Sequence, residues 1–492
     1  FVPTLGNPVS DALLACLDGP DDILPDISIG RIPVKTAAEA EAAVDKIVEY
    51  ESAPSAAWKK NFLFISGGFD ELEQQQFKSQ SHYLADTFVN QPPTFGRPIH
   101  ITKEEEQNQG DQRSLILDAI NTGAMWVNFI GHAASRTWEL MFNNPDIDDL
   151  SNKGRYPFIS SMTCHTGRFA EPGQESFSER FLLVPDKGAI GFWGTSGWGY
   201  SYEDFQYLKQ LYPTVLSDTV RYAGDIISLT KFKVWKYLGS TDHYRNLILQ
   251  YNLLGDPALT LGLPDKPDLA VRSQDISTTP QMPSESDSTA VVNVAVHNWG
   301  LLPSDSSDVH LTIEHPLKSL RLSRRAKIAP VGLVDTTSFS WPLRNMAGLV
   351  TLTADVDPFD RIAEFDETNN RQENQVTVLT SDIQQVSPLP HAMVPEIQVV
   401  LKVQTPQRNF DDRQRYIFEL DTSRTFDSPA FQTSPPVRNH PLLVRWQPEG
   451  LEVDQRYFWR VRSEEFTPPY AFESSFYVTG TPDFGWQQSA PH

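Results

Sequence analysis

Short apolar runs alternate with polar stretches of helical period through the first half of the chain. Asn61–Ser66 (NFLFIS), Met125–Ile130 (MWVNFI), Pro157–Met162 (PFISSM) and Gly188–Trp193 (GAIGFW) carry the aromatic and β-branched residues of buried strands. Ile27–Val34 reads as a further short strand ending at Pro33. Thr36 and Glu39 have the spacing of a capping box. The helix they open is expected to reach Ser52, with Val44, Ile47, Val48 and Glu51 setting its period. Further helices are predicted at Leu72–Val89, at Asp111–Asn121, from Glu175 to Leu183, at Tyr202–Leu211 and at Val234–Leu238. In the second of these Leu115, Ile116, Ala119 and Ile120 share a side, and Gly123 sits where a left-handed C-cap belongs. Gly255–Asp256–Pro257 reads as a tight turn into a last short strand. Strands alternating with helices predict an α/β unit built on a parallel sheet.

The pattern changes after the Pro-rich linker Leu263–Asp268 (LPDKPD). Ala290–Val296 (AVVNVAV) and Asp308–Ile313 alternate with period two and the helical period disappears, as in an antiparallel sandwich. A second linker, Gln384–Pro395 (QQVSPLPHAMVP), leads to another β-rich stretch at about Glu396–Gly480. The expected division is 1–264, 265–381 and 382–492, in keeping with a length of 492 residues.

Charge narrows the partners. With 41 basic and 63 acidic residues the formal net charge is −22, which argues against nucleic acid and anionic membranes. The chain has two cysteines, Cys16 and Cys164, too few for a disulfide framework, so the compartment is not decided by them. Its 37 prolines and 11 tryptophans suit extracellular β-rich modules. No apolar run reaches the length of a transmembrane helix, and the opening residues FVPTLGNPVSDALLACLDG do not read as a signal peptide.

Two of the buried-type strands end at reactive residues, His132 after the first and Cys164 after the second. Parallel neighbours present the residues past their carboxyl ends in one crevice. A thiol beside an imidazole is the minimal apparatus of a cysteine nucleophile. Two plainer readings stand beside it: separate structural roles for each residue, and a metal site using His132, Cys164 and His165, for which adjacent ligands are poorly placed and no fourth is evident.

The order and spacing of several segments resemble the gingipain-like family of cysteine peptidases, relatives of caspases and legumains. The segments are DGPDDILPDISIGRIPV at Asp18–Val34, NFIGHAAS around His132, TCHTGRFAEPGQESFSERFL around Cys164, GAIGFWGTSGWGY at Gly188–Tyr200 and YNLLGDPAL at Tyr251–Leu259. The resemblance implies a caspase-like, three-layer α/β peptidase domain at 1–264 with a parallel sheet. It implies His132 as general base, Cys164 as nucleophile, and the backbone N–H groups of Ala133 and Cys164 as oxyanion donors. Ala133 stands where many relatives have Gly, which is tolerable only with a negative φ. By position, Trp198 and Tyr200 should wall the pocket for the residue before the cut bond, with ordinary packing as the alternative. The acid that orients the histidine in relatives has no match at Ser66, Gly67 or Gly68; Asp70, Glu71 or a backbone carbonyl could serve.

The resemblance further implies secretion to a bacterial surface or exterior by the type IX route, protein or peptide substrates, and no organic cofactor. In the family a segment with its own strands precedes the point where this sequence opens, so a separate N-terminal fragment is an expected partner beside a secretion-system or cell-surface one. One branch of the family acts as a sortase, a transpeptidase that removes C-terminal sorting signals; an inactive surface-binding module is the other alternative. Segments at Pro267, Val294 and Val356 resemble adhesion-type immunoglobulin-like modules, and RYIFELDTSRTFDSP with QRYFWRVRSEE resembles fibronectin-type modules. Asp18–Asp26 and DPFDRIAEFDETNN offer carboxylates suited to structural calcium, against the simpler reading of acidic turns.

Overall fold

The structure is a computed structural model and describes residues 3–7, 9–19, 21–53, 56–103, 109–216, 220–239, 241–379, 383–395, 399–405, 415–438, 443–464 and 472–480. Six strands form the central sheet of the first unit: β1 (Asn61–Ser66), β2 (Arg97–Thr102), β3 (Trp126–Ile130), β7 (Phe158–Met162), β8 (Gly191–Thr195) and β9 (Tyr251–Leu254), in the order β2-β1-β3-β7-β8-β9. The short strands β4 (Ala133–Ala134), β5 (Thr137–Trp138) and β6 (Phe142–Asn143) make a small separate sheet just past β3.

Alternation along each buried strand creates two cores. Phe62 and Phe64 of β1 point into one, Leu63 and Ile65 into the other. The first core is covered by helices α2 (Glu71–Leu84), α5 (Ser201–Val215), α6 (Ala223–Leu238) and α7 (Asp242–Gln250). The second is covered by α3 (Gln109–Thr122) and α4 (Phe177–Leu183), with Trp138 and Phe142 from the small sheet. Helices on both faces make the expected three layers. The expected all-parallel sheet is corrected: β9 runs antiparallel to β8. The chain reaches β9 directly from the end of α7 with no crossover, and an antiparallel neighbour needs none.

Other local expectations change too. The last strand precedes the Gly255–Asp256–Pro257 turn instead of following it, and Ile27–Val34 forms only an isolated bridge from Arg31 to Leu254. Helix α1 (Ala37–Ser52) has both halves of its capping box, but its buried face is Ala43, Lys46 and Tyr50, whereas Val44 and Val48 are exposed. Apolar periodicity misplaced that face because it hides a lysine. Lys46 Nζ donates to the carbonyl oxygens of Lys187 and Ala189, both at 3.0 Å, which burial would otherwise leave unpaired.

Past Leu263, two four-stranded sheets enclose a single core between Leu269 and Val378, with Val292, Val294, Val296 and Trp341 facing Leu311, Ile313, Leu352 and Ala354. This is the predicted antiparallel sandwich. Gln384–Pro395, expected as a linker, instead supplies strands Gln384–Ser387 and Ala392–Pro395 to the two sheets of the last β unit. The first β unit is tied to the α/β unit. Buried Lys60 donates to the carbonyl oxygens of Gly300 and Gly332 at 2.8 Å and of Asn298 at 3.2 Å, and burial pushes its ammonium down to about 7.

Candidate active site

Strands β3 and β7 are parallel neighbours in the register Ile130↔Met162. His132 and Cys164 each lie two residues beyond that pair, at matching levels past the sheet's carboxyl edge. Thr163 Oγ1 ties the two loops together by donating to Gly131 O at 2.7 Å. The residue after the thiol bends the chain sharply. His165 has φ +60°, a left-handed conformation costly for a non-glycine residue. Its N–H donates to Gly197 O at 2.8 Å, which holds the bend in place.

The imidazole of His132 is held on three sides. Its ring stacks on Phe69 with centroids 4.3 Å apart and planes 3° apart, and Phe77 meets it edge-on at 6.0 Å. Nε2 lies 3.1 Å from Glu73 Oε2. Glu73 is the acid that sequence reading missed. Ser66 to Glu71 were considered, but the carboxylate sits two residues further on. The available signal was Asp70-x-x-Glu73: Asp70 caps α2 by accepting from Glu73 N–H at 2.9 Å, which fixes the first turn and aims Glu73 back at the strand end. A carboxylate on Nε2 favours the neutral tautomer with its proton on that nitrogen, which leaves Nδ1 as the acceptor.

A second carboxylate, equally unforeseen, organises the backbone. Glu139 leaves β5 with φ +47°, and its fully buried side chain accepts from His132 N–H at 2.6 Å and from Gly68 N–H at 2.8 Å. Lys103 Nζ, 2.9 Å away, balances its charge. A Cβ on Gly67 would fall 2.2 Å from Glu139 Oε1, so glycine there admits the carboxylate between the ends of β1 and β3.

The thiol has its own setting. Cys164 Sγ accepts from Gly199 N–H at 3.4 Å and lies 3.8 Å from Gly199 O. In this resting arrangement the sulfur pairs with Gly199 and not with the imidazole. Catalytic hydrogen bonds in substrate-free sites are commonly long or unformed. Burial pushes the Cys164 thiol above its ordinary range, the Gly199 N–H opposes that, and the charge of Asp204 adds to it. Ala133 is not among the residues of positive φ, so the missing glycine imposes no strain. A cavity of about 560 Å³ opens against the residue after the thiol; its lining includes His165, Arg168, Glu171, Trp198, Tyr200 and Gln250. Trp198 and Tyr200, the two aromatic residues of the loop after β8, both line this cavity. Arg168 and Glu171 pair at 3.3 Å on its wall.

The zinc alternative finds no support in the geometry. Among the described residues, the one group of three metal-ligating side chains with atoms within 4.8 Å of one another is Asp18, Asp22 and Asp26. Oxygens so spaced can be spanned by Ca²⁺, whose ligands lie at about 2.3–2.6 Å. The same carboxylates already accept backbone N–H groups, Asp26 from Leu17 and Asp22 from Leu24. In the second acidic stretch the carboxylates serve the turn: Asp357 accepts from Ile362 N–H, Glu364 from Asn370 and Asp366 from Thr368 N–H.

Replacing Glu73 by Gln should lower kcat/KM about tenfold, the worth of one charge-assisted hydrogen bond on a half-exposed pair. Steady-state kinetics on a short peptide checks this; an unchanged kcat/KM would leave Glu73 as a helix-capping residue only.

The profile of Peptidase family C25 matches residues 1–262, and that of CARDB matches residues 266–374. No curated protein sequence matches the chain. Among solved structures, the Arg-specific cysteine proteinase gingipain R aligns at 16% identity with a TM-score of 0.47, covering 77% of this chain and 81% of that one. The complex of the pro- and mature domains of a Porphyromonas gingivalis gingipain aligns at 14% identity with a TM-score of 0.46, covering 75% and 81%. A CARDB domain from Pyrococcus furiosus aligns at 22% identity with a TM-score of 0.19, covering 24% and 92%.

Proposed function

The chain belongs to peptidase family C25 and is a cysteine peptidase, and from that premise we propose that it is an endopeptidase of the bacterial exterior working through Cys164 and His132. The observation that carries the assignment is the in-register end of β3 and β7, which brings the imidazole and the thiol to one edge of the sheet. Because burial keeps Cys164 largely as thiol at neutral pH, His132 acts as general base during attack. Nδ1 takes the thiol proton as sulfur bonds to the scissile carbonyl carbon. Glu73 steadies the imidazolium formed. The oxyanion is met by the N–H groups of Ala133 and Cys164. Collapse of the tetrahedral intermediate breaks the C–N bond, and the leaving amine departs with the proton from His132. Water, deprotonated by the same imidazole, then hydrolyses the thioester. The side chain preceding the cut bond enters the cavity walled by Trp198 and Tyr200.

Substrates are proteins or peptides, and the β units place the enzyme on a surface or a large substrate. The reading includes secretion by the type IX route. A Ca²⁺ at Asp18, Asp22 and Asp26 would take no part in this reaction. The test is product partitioning: enzyme, a cleavable peptide and rising amine acceptor, with acid and amide products measured by mass spectrometry. Hydrolysis predicts that the free acid dominates until acceptor is very concentrated. Dominant amide at low acceptor would identify a transpeptidase, since only a bound amine at high effective molarity outcompetes water.

A further inference from the structure

Behind the thiol lies a carboxylate that the reaction as proposed does not use. Asp204, in the first turn of α5, is fully buried. Its Oδ1 accepts from Tyr251 Oη at 2.8 Å, and its own N–H donates to Tyr200 O at 2.7 Å. Its Oδ2 lies close to Gly199: a Cβ at residue 199 would come within 2.6 Å of Asp204 Oδ2 and 2.8 Å of the Thr163 carbonyl carbon. Glycine at 199 thus lets the carboxylate and the peptide just before Cys164 approach one another. The N–H that reaches Cys164 Sγ belongs to this same residue.

We propose that Asp204 is a positioning residue that holds the Gly199 amide against Cys164 and whose charge, one residue layer behind the sulfur, sets the pH range over which the thiol becomes nucleophilic. The proposal rests on Cys164 being the nucleophile, but its test reads the thiol directly and needs no turnover.

The sign follows from electrostatics. A carboxylate near the sulfur disfavours thiolate, so Asp204 holds the thiol up when ionised and releases it when neutral. Burial pushes Asp204 itself up to about 7. The groups facing it are Tyr251 from β9, Tyr207 and Glu203 from its own helix, and Cys164. The Tyr251 hydrogen bond favours the carboxylate, and Glu203 opposes it by like charge. Tyr207 and Tyr251 are raised well above the ordinary phenol value by burial and so stay neutral. Across neutrality Asp204 is thus the group in this cluster whose charge changes. As pH rises, Asp204 gains its charge before the thiol ionises and so raises the pH at which the thiolate forms.

The experiment is site-resolved alkylation of the full chain by iodoacetamide across pH, with the Cys164 peptide quantified by mass spectrometry. Asp204→Asn keeps an acceptor for Tyr251 and removes the charge. It is expected to speed Cys164 alkylation at pH 7 about three- to tenfold and to move the midpoint to lower pH. Tyr251→Phe removes the bond that favours the carboxylate, keeps Asp204 neutral to higher pH, and should speed Cys164 alkylation at pH 7 in the same direction by less. A role in packing alone would change stability and leave the midpoint where it is. Folded Asp204→Asn with an unmoved or raised midpoint overturns the proposal. If that variant does not fold, Tyr251→Phe decides: an unchanged or slower rate of Cys164 alkylation at pH 7 overturns the proposal. Should Cys164 not be the nucleophile, peptide cleavage would survive Cys164→Ala while these midpoints remained measurable, so the two failures are distinguishable.

Discussion

Cys164→Ala is expected to abolish peptide cleavage and His132→Ala to lower kcat/KM by about 10⁴-fold or more, because nucleophile and base act as one unit whose members are not additive. Cys16→Ala should leave turnover intact. The contrast between the two cysteines is physical. Cys16 is pushed up to about 11 by burial and by the charges of Asp22 and Asp26, and its Sγ donates to Ala12 O at 3.2 Å. Cys164 is also raised, but Gly199 N–H points at its sulfur and favours thiolate. Iodoacetamide just below neutral pH should therefore label Cys164 well ahead of Cys16, since the thiolate is the reacting form. Kinetics on a short peptide and mapping of the labelled residue check both statements. Full activity in Cys164→Ala, or preferential labelling of Cys16, would remove the assignment.

Glu139→Ala is expected to cost about 3–5 kcal/mol, the range for stripping one partner from a buried ion pair. The side chain is fully buried and is the acceptor for both Gly68 N–H and His132 N–H, and removing it leaves those donors and Lys103 Nζ without their partner. The damage is local as well as global. The loops after β1 and β3 lose their common acceptor, so the His132 backbone loses its fixed height above the sheet. A displacement of an ångström at a general base costs about 10²-fold in rate. Urea unfolding followed by tryptophan fluorescence measures the first effect, and kcat of the surviving folded fraction the second. A multidomain chain need not unfold in one step, so amide exchange at Gly68 and His132 supplies the residue-level reading. Unchanged protection at both amides would show that Glu139 does not hold the loops.

The helices and strands that could be read in the sequence are those whose signal is local. NFLFIS, MWVNFI and PFISSM became strands because each run is buried on both faces of the sheet, so it is largely apolar, with Ser160 accommodated by hydrogen bonds to Trp126 and Asn128. The capping box at Thr36 and Glu39 formed as its spacing implies, since both hydrogen bonds span three residues. Where the chain departed from expectation, a long-range partner was responsible. Lys46 lies on the buried face of α1 because carbonyl oxygens more than a hundred residues later need a donor. The strand Tyr251–Leu254 reverses the sheet's direction because α7 hands the chain straight to the edge beside β8.

The same division runs through the active site. The sequence by itself determined that His132 and Cys164 each follow a buried strand, and that an aromatic loop at Trp198 and Tyr200 comes next, because strand ends and their flanking residues are written in consecutive letters. Only the tertiary structure decided which carboxylates serve them. Glu73 meets His132 across 59 positions and Glu139 meets Gly68 across 71, and Asp204 reaches the thiol through Gly199. An exposed helix start, a hairpin and a buried helical turn give those three acids no common local pattern. Their partnership arises from sheet order, which sets what stands beside each strand end, and from the need of each buried charge for hydrogen-bond donors.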